Sequence, residues 1–257
     1  MLLAGTSLKG FAIHAEDGKL GKVSDFLFDD RTWKLRWLVV DTIGWLSGRL
    51  ILLHPSVIGM PDFVRQEVQV RLTKAQIEAG PNMREDAPVS RKMEDQLYGY
   101  YGWSSMWGGS GYFTAYPDAT GMPLNPATPY GDLAVAEPFD PPRPSEGDRD
   151  LRSLVEITGY DVHATDGMIG HIKDVLIDDA DWSIRYLIVD TRNWWPGKHV
   201  LVSPYAVKNI SWSTQQVEVA LTREAVKASP SWDPADIIDR EYETRLHRHY
   251  GWAGYGW

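Results

Sequence analysis

The sequence predicts a mainly β protein made of two copies of one small domain, each copy followed by short helices and the two packed against one another. Three observations predict it: a gapless internal repeat, period-two apolar patterning around two Asp-Gly turns, and a Gly- and Pro-rich stretch between the copies.

The repeat comes first because it fixes the organisation. Asp-Gly-Lys-Leu-Gly-Lys-Val-Ser-Asp at 17–25 aligns with Asp-Gly-Met-Ile-Gly-His-Ile-Lys-Asp at 166–174, an offset of 149 residues. At that offset Leu27, Asp29, Asp30, Trp33, Arg36, Leu38, Val40, Asp41 and Thr42 meet identical residues. The identities continue through Trp45/Trp194, Pro55/Pro204, Leu72/Leu221 and Pro81/Pro230 to Tyr-Gly-Trp at 101–103 and 250–252. Residues 1–107 and 150–257 are therefore two equivalent units of about a hundred residues, an ordinary domain size. Residues 108–149, ending in Phe-Asp-Pro-Pro-Arg-Pro over 139–144, read as a linker.

Within each unit the elements follow in order. Asp17-Gly18 and Asp166-Gly167, set between short extended runs, mark hairpins. Strands are expected over 23–28 and 172–177. The acidic turns Asp29-Asp30 and Asp178-Asp179-Ala180-Asp181 then lead into strands over 34–42 and 183–191. In this third strand Leu35, Trp37 and Val39 are apolar on one face and Leu38 and Val40 on the other, so both faces should be covered. Val68, Val70 and Leu72 alternate with Gln69 and Arg71, a strand with one wet face. Thr73 and Thr222 are candidate N-caps of short helices that stop near Pro81 and Pro230. A longer helix is expected after them, near 90–98 in the first copy. In the second it would be capped by Asp233, with Pro234 at its first position, and carry Ile237, Ile238, Tyr242 and Leu246 as an apolar stripe.

A β unit of about 75 residues buries too little surface to be comfortably stable alone. The doubly apolar third strand supplies a surface for a neighbour, and the nearest neighbour is the other copy. The halves are therefore expected to pair about an approximate two-fold axis within one chain.

Asp-Gly-Lys-Leu-Gly-Lys-Val-Ser-Asp-Phe-Leu-Phe-Asp-Asp over 17–30, Arg-Trp-Leu-Val-Val-Asp-Thr over 36–42, Gly44-Trp45, Gly48-Arg49 and Leu-Leu-His-Pro-Ser-Val over 52–57 together resemble the PRC-barrel family. The second copy resembles it too, so the resemblance covers about 8–72 and 157–221. That family is named for the cytoplasmic domain of the photosynthetic reaction-centre H subunit and includes the C-terminal domain of a ribosome-maturation factor. The resemblance implies a small, closed or nearly closed antiparallel β-barrel that works through protein contacts, with no shared catalytic residues. The chain departs from the first relative in lacking a transmembrane anchor, and from the second in lacking an evident RNA-associated N-terminal domain.

Composition narrows the function classes. A net charge of −9 gives no basic surplus for phosphates, so nucleic acid is not an expected partner. Cysteine is absent, which excludes disulfides, thiol nucleophiles and thiolate metal sites. The longest apolar runs, at 37–40 and 50–53, fall far short of the ~20 residues of a spanning helix. The first ten residues lack a cationic start and an apolar run, so a cytoplasmic, soluble protein is expected.

Candidate chemistry is sparse. The acidic turns carry carboxylates but not the glycine and glutamate spacing of a calcium loop, and are read as solvated turns. Asp25/Asp174 and Asp41/Asp190 are expected to pair with backbone groups or with Arg36 and Arg185. His14 and His163 recur ahead of the Asp-Gly turns; with nearby carboxylates they support the alternative of a small-ligand or metal site. His247-Arg248-His249 is discounted as a metal pair, because residues two apart on a helix point to different sides. Trp45, Trp194 and Trp195 lie in the loop after the third strand and are candidate partner-binding anchors. The leading expectation is a non-enzymatic interaction or scaffold protein without a cofactor, presenting those loops and the aromatic tails to a protein partner of unspecified identity. Self-association through the tails, giving a homo-oligomer, is the third reading.

Overall fold

The computed structural model describes residues 1–42, 49–81, 89–103, 151–191, 198–233 and 238–255. Trp45, Trp194, Trp195 and the linker fall outside them. Met1–Ala87 and Arg149–Trp257 form one compact unit, and Pro88–Asp148 a second.

In the first unit the strands run β1 (Leu2–Ala4), β2 (Ala12–Ala15), β3 (Gly18–Asp29), β4 (Lys34–Asp41), β5 (Leu50–Leu53) and β6 (Glu67–Gln69), followed by helix α1 (Lys74–Glu78). The second unit contributes α2 (Arg91–Tyr101). The series then repeats in the first unit: β7 (Leu151–Ser153), α3 (Leu154–Ile157), β8 (Asp161–Ala164), β9 (Gly167–Asp178), β10 (Ile184–Asp190), β11 (His199–Val202), β12 (Val207–Ser211), β13 (Gln216–Val219), α4 (Arg223–Lys227) and α5 (Arg240–Tyr250). Mainly β architecture with short C-terminal helices is what the repeat led us to expect.

Two sheets result, ordered β5-β4-β3-β2-β6 and β11-β10-β9-β8-β13-β12. Pairing along them is antiparallel except for β2 with β6 and β8 with β13, which are parallel. Each core is filled by repeat-related side chains. Ile13, Leu20, Phe28, Trp37, Leu38, Val40 and Leu53 are buried, as are Val162, Ile169, Ile177, Tyr186, Leu187, Val189 and Val202 at the same offset. The third strand is buried on both faces, but a bulge at Arg36, and another at Arg185, interrupts its strict alternation.

The halves exchange their first strands. β1 pairs antiparallel with β9, Leu2 opposite Asp178 and Ala4 opposite Leu176. β7 pairs with β3 in the same register, Leu151 opposite Asp29 and Ser153 opposite Leu27. The turns that follow β3 and β9 also bond to one another: the Leu35 N–H donates to the Trp182 carbonyl at 2.8 Å and the Ile184 N–H to the Trp33 carbonyl at 2.7 Å. Trp33 and Trp182 both hold left-handed backbone, at φ 56° and 57°. That conformation costs a non-glycine residue about 1–2 kcal/mol. Burial of the Trp33 ring, stacked on Phe28 at 5.5 Å, and the cross-half hydrogen bonds hold it there. The expected pairing of the halves is thus present, and it is made by exchanged strands and by hydrogen bonds between the turns.

The short helices begin where their caps predict. Thr73 Oγ1 accepts the Gln76 N–H while the Gln76 side chain returns to the Thr73 N–H, a reciprocal cap, and Thr222 accepts the Ala225 N–H. The hairpin aspartates help: Asp17 accepts the Lys74 N–H and Asp166 the Arg223 N–H, both at 2.8 Å. The last helix is corrected. It starts at Arg240 with Asp239, not Asp233, as its N-cap, and Asp239 accepts the Tyr242 N–H at 2.7 Å. Pro234 and Ile237 lie outside the described residues, and Ile238 precedes the helix. Glu241 and Glu243 in the first turn suit the positive end of the helix dipole at this start.

In the second unit, α2 is capped by Ser90, which accepts the Met93 N–H at 3.3 Å, and ends at left-handed Gly102. Tyr101 stacks on Trp103 at 4.2 Å and meets Tyr100 edge-on at 4.7 Å. Burial, with the nearby Tyr100, pushes the Tyr101 hydroxyl up to about 12.

Candidate functional site

The positions singled out from sequence are dispersed. His14, on β2, is half-buried with Nε2 3.4 Å from Glu67 Oε1 on β6. His163 takes the same place on β8, but the residue corresponding to Glu67 is Gln216, so the pairing is not duplicated. Among the described residues no three carboxylate or imidazole side chains gather as a cation site. The acidic turns are closed by their own backbone: Asp29 accepts the Arg31 and Thr32 N–H groups at 3.0 and 2.9 Å, and Asp178 accepts that of Ala180 at 3.0 Å.

The arginines pair with these turns rather than with the strand carboxylates proposed for them. Arg36 lies 3.5 Å from Asp29, and Arg185 hydrogen-bonds Asp178. The bulges at Ser24 and Lys173, one residue before Asp25 and Asp174, accompany this change of partner. Asp174 accepts the Thr6 N–H at 3.0 Å and the Thr6 hydroxyl; Asp25 reciprocally accepts the Val155 N–H at 3.1 Å and the Ser153 hydroxyl. Each carboxylate therefore holds the exchanged segment of the opposite half. Burial outweighs these hydrogen bonds and raises both carboxyls above the ordinary aspartate value.

The second copy's aromatic tail docks back on its own half. Tyr250, Trp252 and Tyr255 pack on a cluster formed by Leu176, Tyr186, Ile188, Leu201, Trp232, Tyr242 and Leu246. His247 is buried beside it: Nδ1 lies 2.6 Å from the Ala253 carbonyl, and the Tyr186 hydroxyl bridges Nε2 at 2.7 Å and Glu243 at 2.9 Å. His249 instead reaches the Ala225 carbonyl at 2.8 Å, so the two histidines diverge as helix geometry requires. The Tyr255 hydroxyl donates to the Arg185 carbonyl at 2.7 Å and contacts Ser203 at 2.6 Å, and the Arg185 guanidinium lies 4.3 Å over its ring.

Tyr255 also forms part of a cleft of about 770 Å³ at the seam between the halves. One wall is the turn at 30–33 of the first half with Arg152; the others are the turn around Ser183, the segment 204–210 and Trp212. Arg152 is fixed twice, by Asp30 at 2.9 Å and by the Trp212 ring at 4.3 Å. Trp212 in turn lies 5.4 Å from Tyr160. Tyr205 stacks on Tyr255 at 5.3 Å yet stays 54% exposed, and Lys208 is exposed beside it. Aromatic faces, the fixed Arg152, the exposed Lys208, the carboxylates of Asp30 and Asp181 and a strand backbone thus line one concavity.

Sequence reasoning singled out none of Arg152, Tyr205, Lys208 and Trp212. A signal did exist in the divergence of the repeat: these four stand where the first half has Leu3, Ser56, Gly59 and Phe63.

A family model described as the PRC-barrel domain matches the chain twice, over residues 2–77 and 149–225, which is more than half of its length. No curated protein matches it.

Proposed function

The chain belongs to the PRC-barrel domain family, and from that membership we propose that it is a non-enzymatic protein-interaction module, a scaffold or assembly component of the cytoplasm, whose partner occupies the seam cleft. The observation that carries this reading is the cleft's composition. Its distinctive residues are ones the two halves do not share, so duplication alone does not account for them. Exposed Tyr205 beside partly buried Trp212 and fixed Arg152 has the residue types that dominate binding energy at protein interfaces. The loops bearing Trp45, Trp194 and Trp195 belong to the same proposal as further contacts.

The test is co-purification from the native host with the full-length chain, comparing wild type with Tyr205→Ala/Lys208→Glu and with Trp194→Ala/Trp195→Ala. Both altered cleft residues are exposed, so the fold should persist. Loss of one specific protein, by about tenfold or more in recovery, is expected for the cleft variant. An identical set of co-purifying proteins would remove the cleft from the proposal, and insensitivity to the second variant would remove the tryptophan loops.

A further inference from the structure

Resting on that reading of the cleft, we infer that the partner enters it as an extended acidic peptide that adds a strand to the free edge of β12. Three observations lead there. β12 is the last strand of its sheet and pairs only with β13. Apart from the ladder to β13, the backbone of 208–211 makes no hydrogen bond to another element among the described residues.

The cleft touches Val207, Lys208, Asn209 and Ile210 in succession. A bulge at Lys208, between the Val207–Val219 and Asn209–Glu218 pairs, breaks the alternation there; beyond it Asn209 and Ile210 face opposite sides, so a cavity touching both runs along the strand's edge. What an edge offers is a row of unpaired N–H and C=O groups, and the partner that satisfies such a row is another extended backbone. The regular stretch beyond the bulge, 209–211, spans about 10 Å of strand, a short recognition segment.

The corresponding stretch of the first half is closed to this use. There Gly59, Met60 and Pro61 replace Lys208, Asn209 and Ile210, and the segment makes only isolated bridges, Ile58 with Val70 and Asp62 with Glu67. Proline has no N–H to give and is a common guard of sheet edges. The second half has no proline at these positions; its edge carries a bulge at Lys208, and Lys208 makes no ion pair among the described residues. Two copies of this chain joined edge to edge would place two lysines in one short ladder, which disfavours self-pairing. A carboxylate on an incoming strand would be favoured instead. The cleft's own carboxylates are already engaged, Asp30 by Arg152 and Asp181 by Lys34 at 3.6 Å. Next to Lys208, the Tyr205–Tyr255 stack offers an apolar seat for a neighbouring side chain.

The probe is a displayed library of random linear peptides of about a dozen residues, panned on the full-length chain, followed by N-methyl scanning of the tightest binder. The expected binders carry Asp or Glu among β-branched or aromatic residues. Methylating their backbone nitrogens should weaken binding by about tenfold at every second position and little at those between. Lys208→Glu should weaken the same peptides. Because the scan alters the peptide, the fold of the protein is not at issue. Binders that require Tyr205 but show no alternation would overturn strand addition while leaving the cleft as the partner site. Binders indifferent to both Tyr205→Ala and Lys208→Glu would overturn the cleft itself, and a library yielding no binder would overturn the peptide inference.

Discussion

Gly170 lies so close to β10 that a Cβ placed on it would stand 2.0 Å from the Asp190 carbonyl oxygen; at Gly21 the corresponding distance, to Asp41, is 2.1 Å. The obstacle is backbone paired in a sheet and cannot swing away. Gly170→Ala should therefore cost more than about 4 kcal/mol, read as loss of the cooperative urea transition. His247 acts through protonation. Burial pushes its imidazole below the ordinary value of 6.5, against the opposing pull of the Ala253 carbonyl and Glu243. Above that value both states are neutral and the residue contributes nothing to pH dependence. As pH falls below it, the unfolded chain takes up a proton that the folded chain resists, so stability is lost. The loss from this residue should be seen as a fall in Tm between about pH 7.5 and 5.5. His54 is shifted in the same direction, by burial and Arg36. The diagnostic quantity is therefore the difference from His247→Asn, which keeps a donor for Ala253 but cannot titrate and should show a shallower fall.

The elements that join the halves are β1 and β7, three residues each, too short to be held by their own pairing. Asp174 and Asp25 anchor the segments that follow them. Asp174→Ala would leave the Thr6 and Val175 N–H groups, accepted at 3.0 and 2.7 Å, without their partner. A cost of about 2–3 kcal/mol is expected in chemical denaturation. Asp174→Asn should cost less, because it keeps an acceptor and removes a charge that burial already disfavours. Equal losses for the two substitutions would mean that the carboxylate's charge, rather than its acceptor geometry, holds the exchanged segment.

At the scale of the molecule, the exchange makes each sheet depend on a strand from the other half. Expressed separately, residues 1–103 and 149–257 should not give folded monomers. Each should remain unfolded or pair with its own copy, and mixing should restore a one-to-one complex by sedimentation. A folded monomer from either half would show the exchanged strand to be dispensable. No helix among the described residues is long and apolar enough to cross a membrane. The sequence by itself determined the duplication, the hairpins at Asp17-Gly18 and Asp166-Gly167, the buried third strands and the caps at Thr73 and Thr222. Each of these is local, encoded in alternation, turn chemistry or identity at a fixed offset. Only the tertiary structure decided that Asp25 and Asp174 hold segments of the opposite half, that the last helix waits until Arg240, and that Arg152, Tyr205 and Trp212 share one cleft. A three-residue strand carries too little pattern to name its partner, and a cleft between residues more than a hundred positions apart exists only once the halves have met.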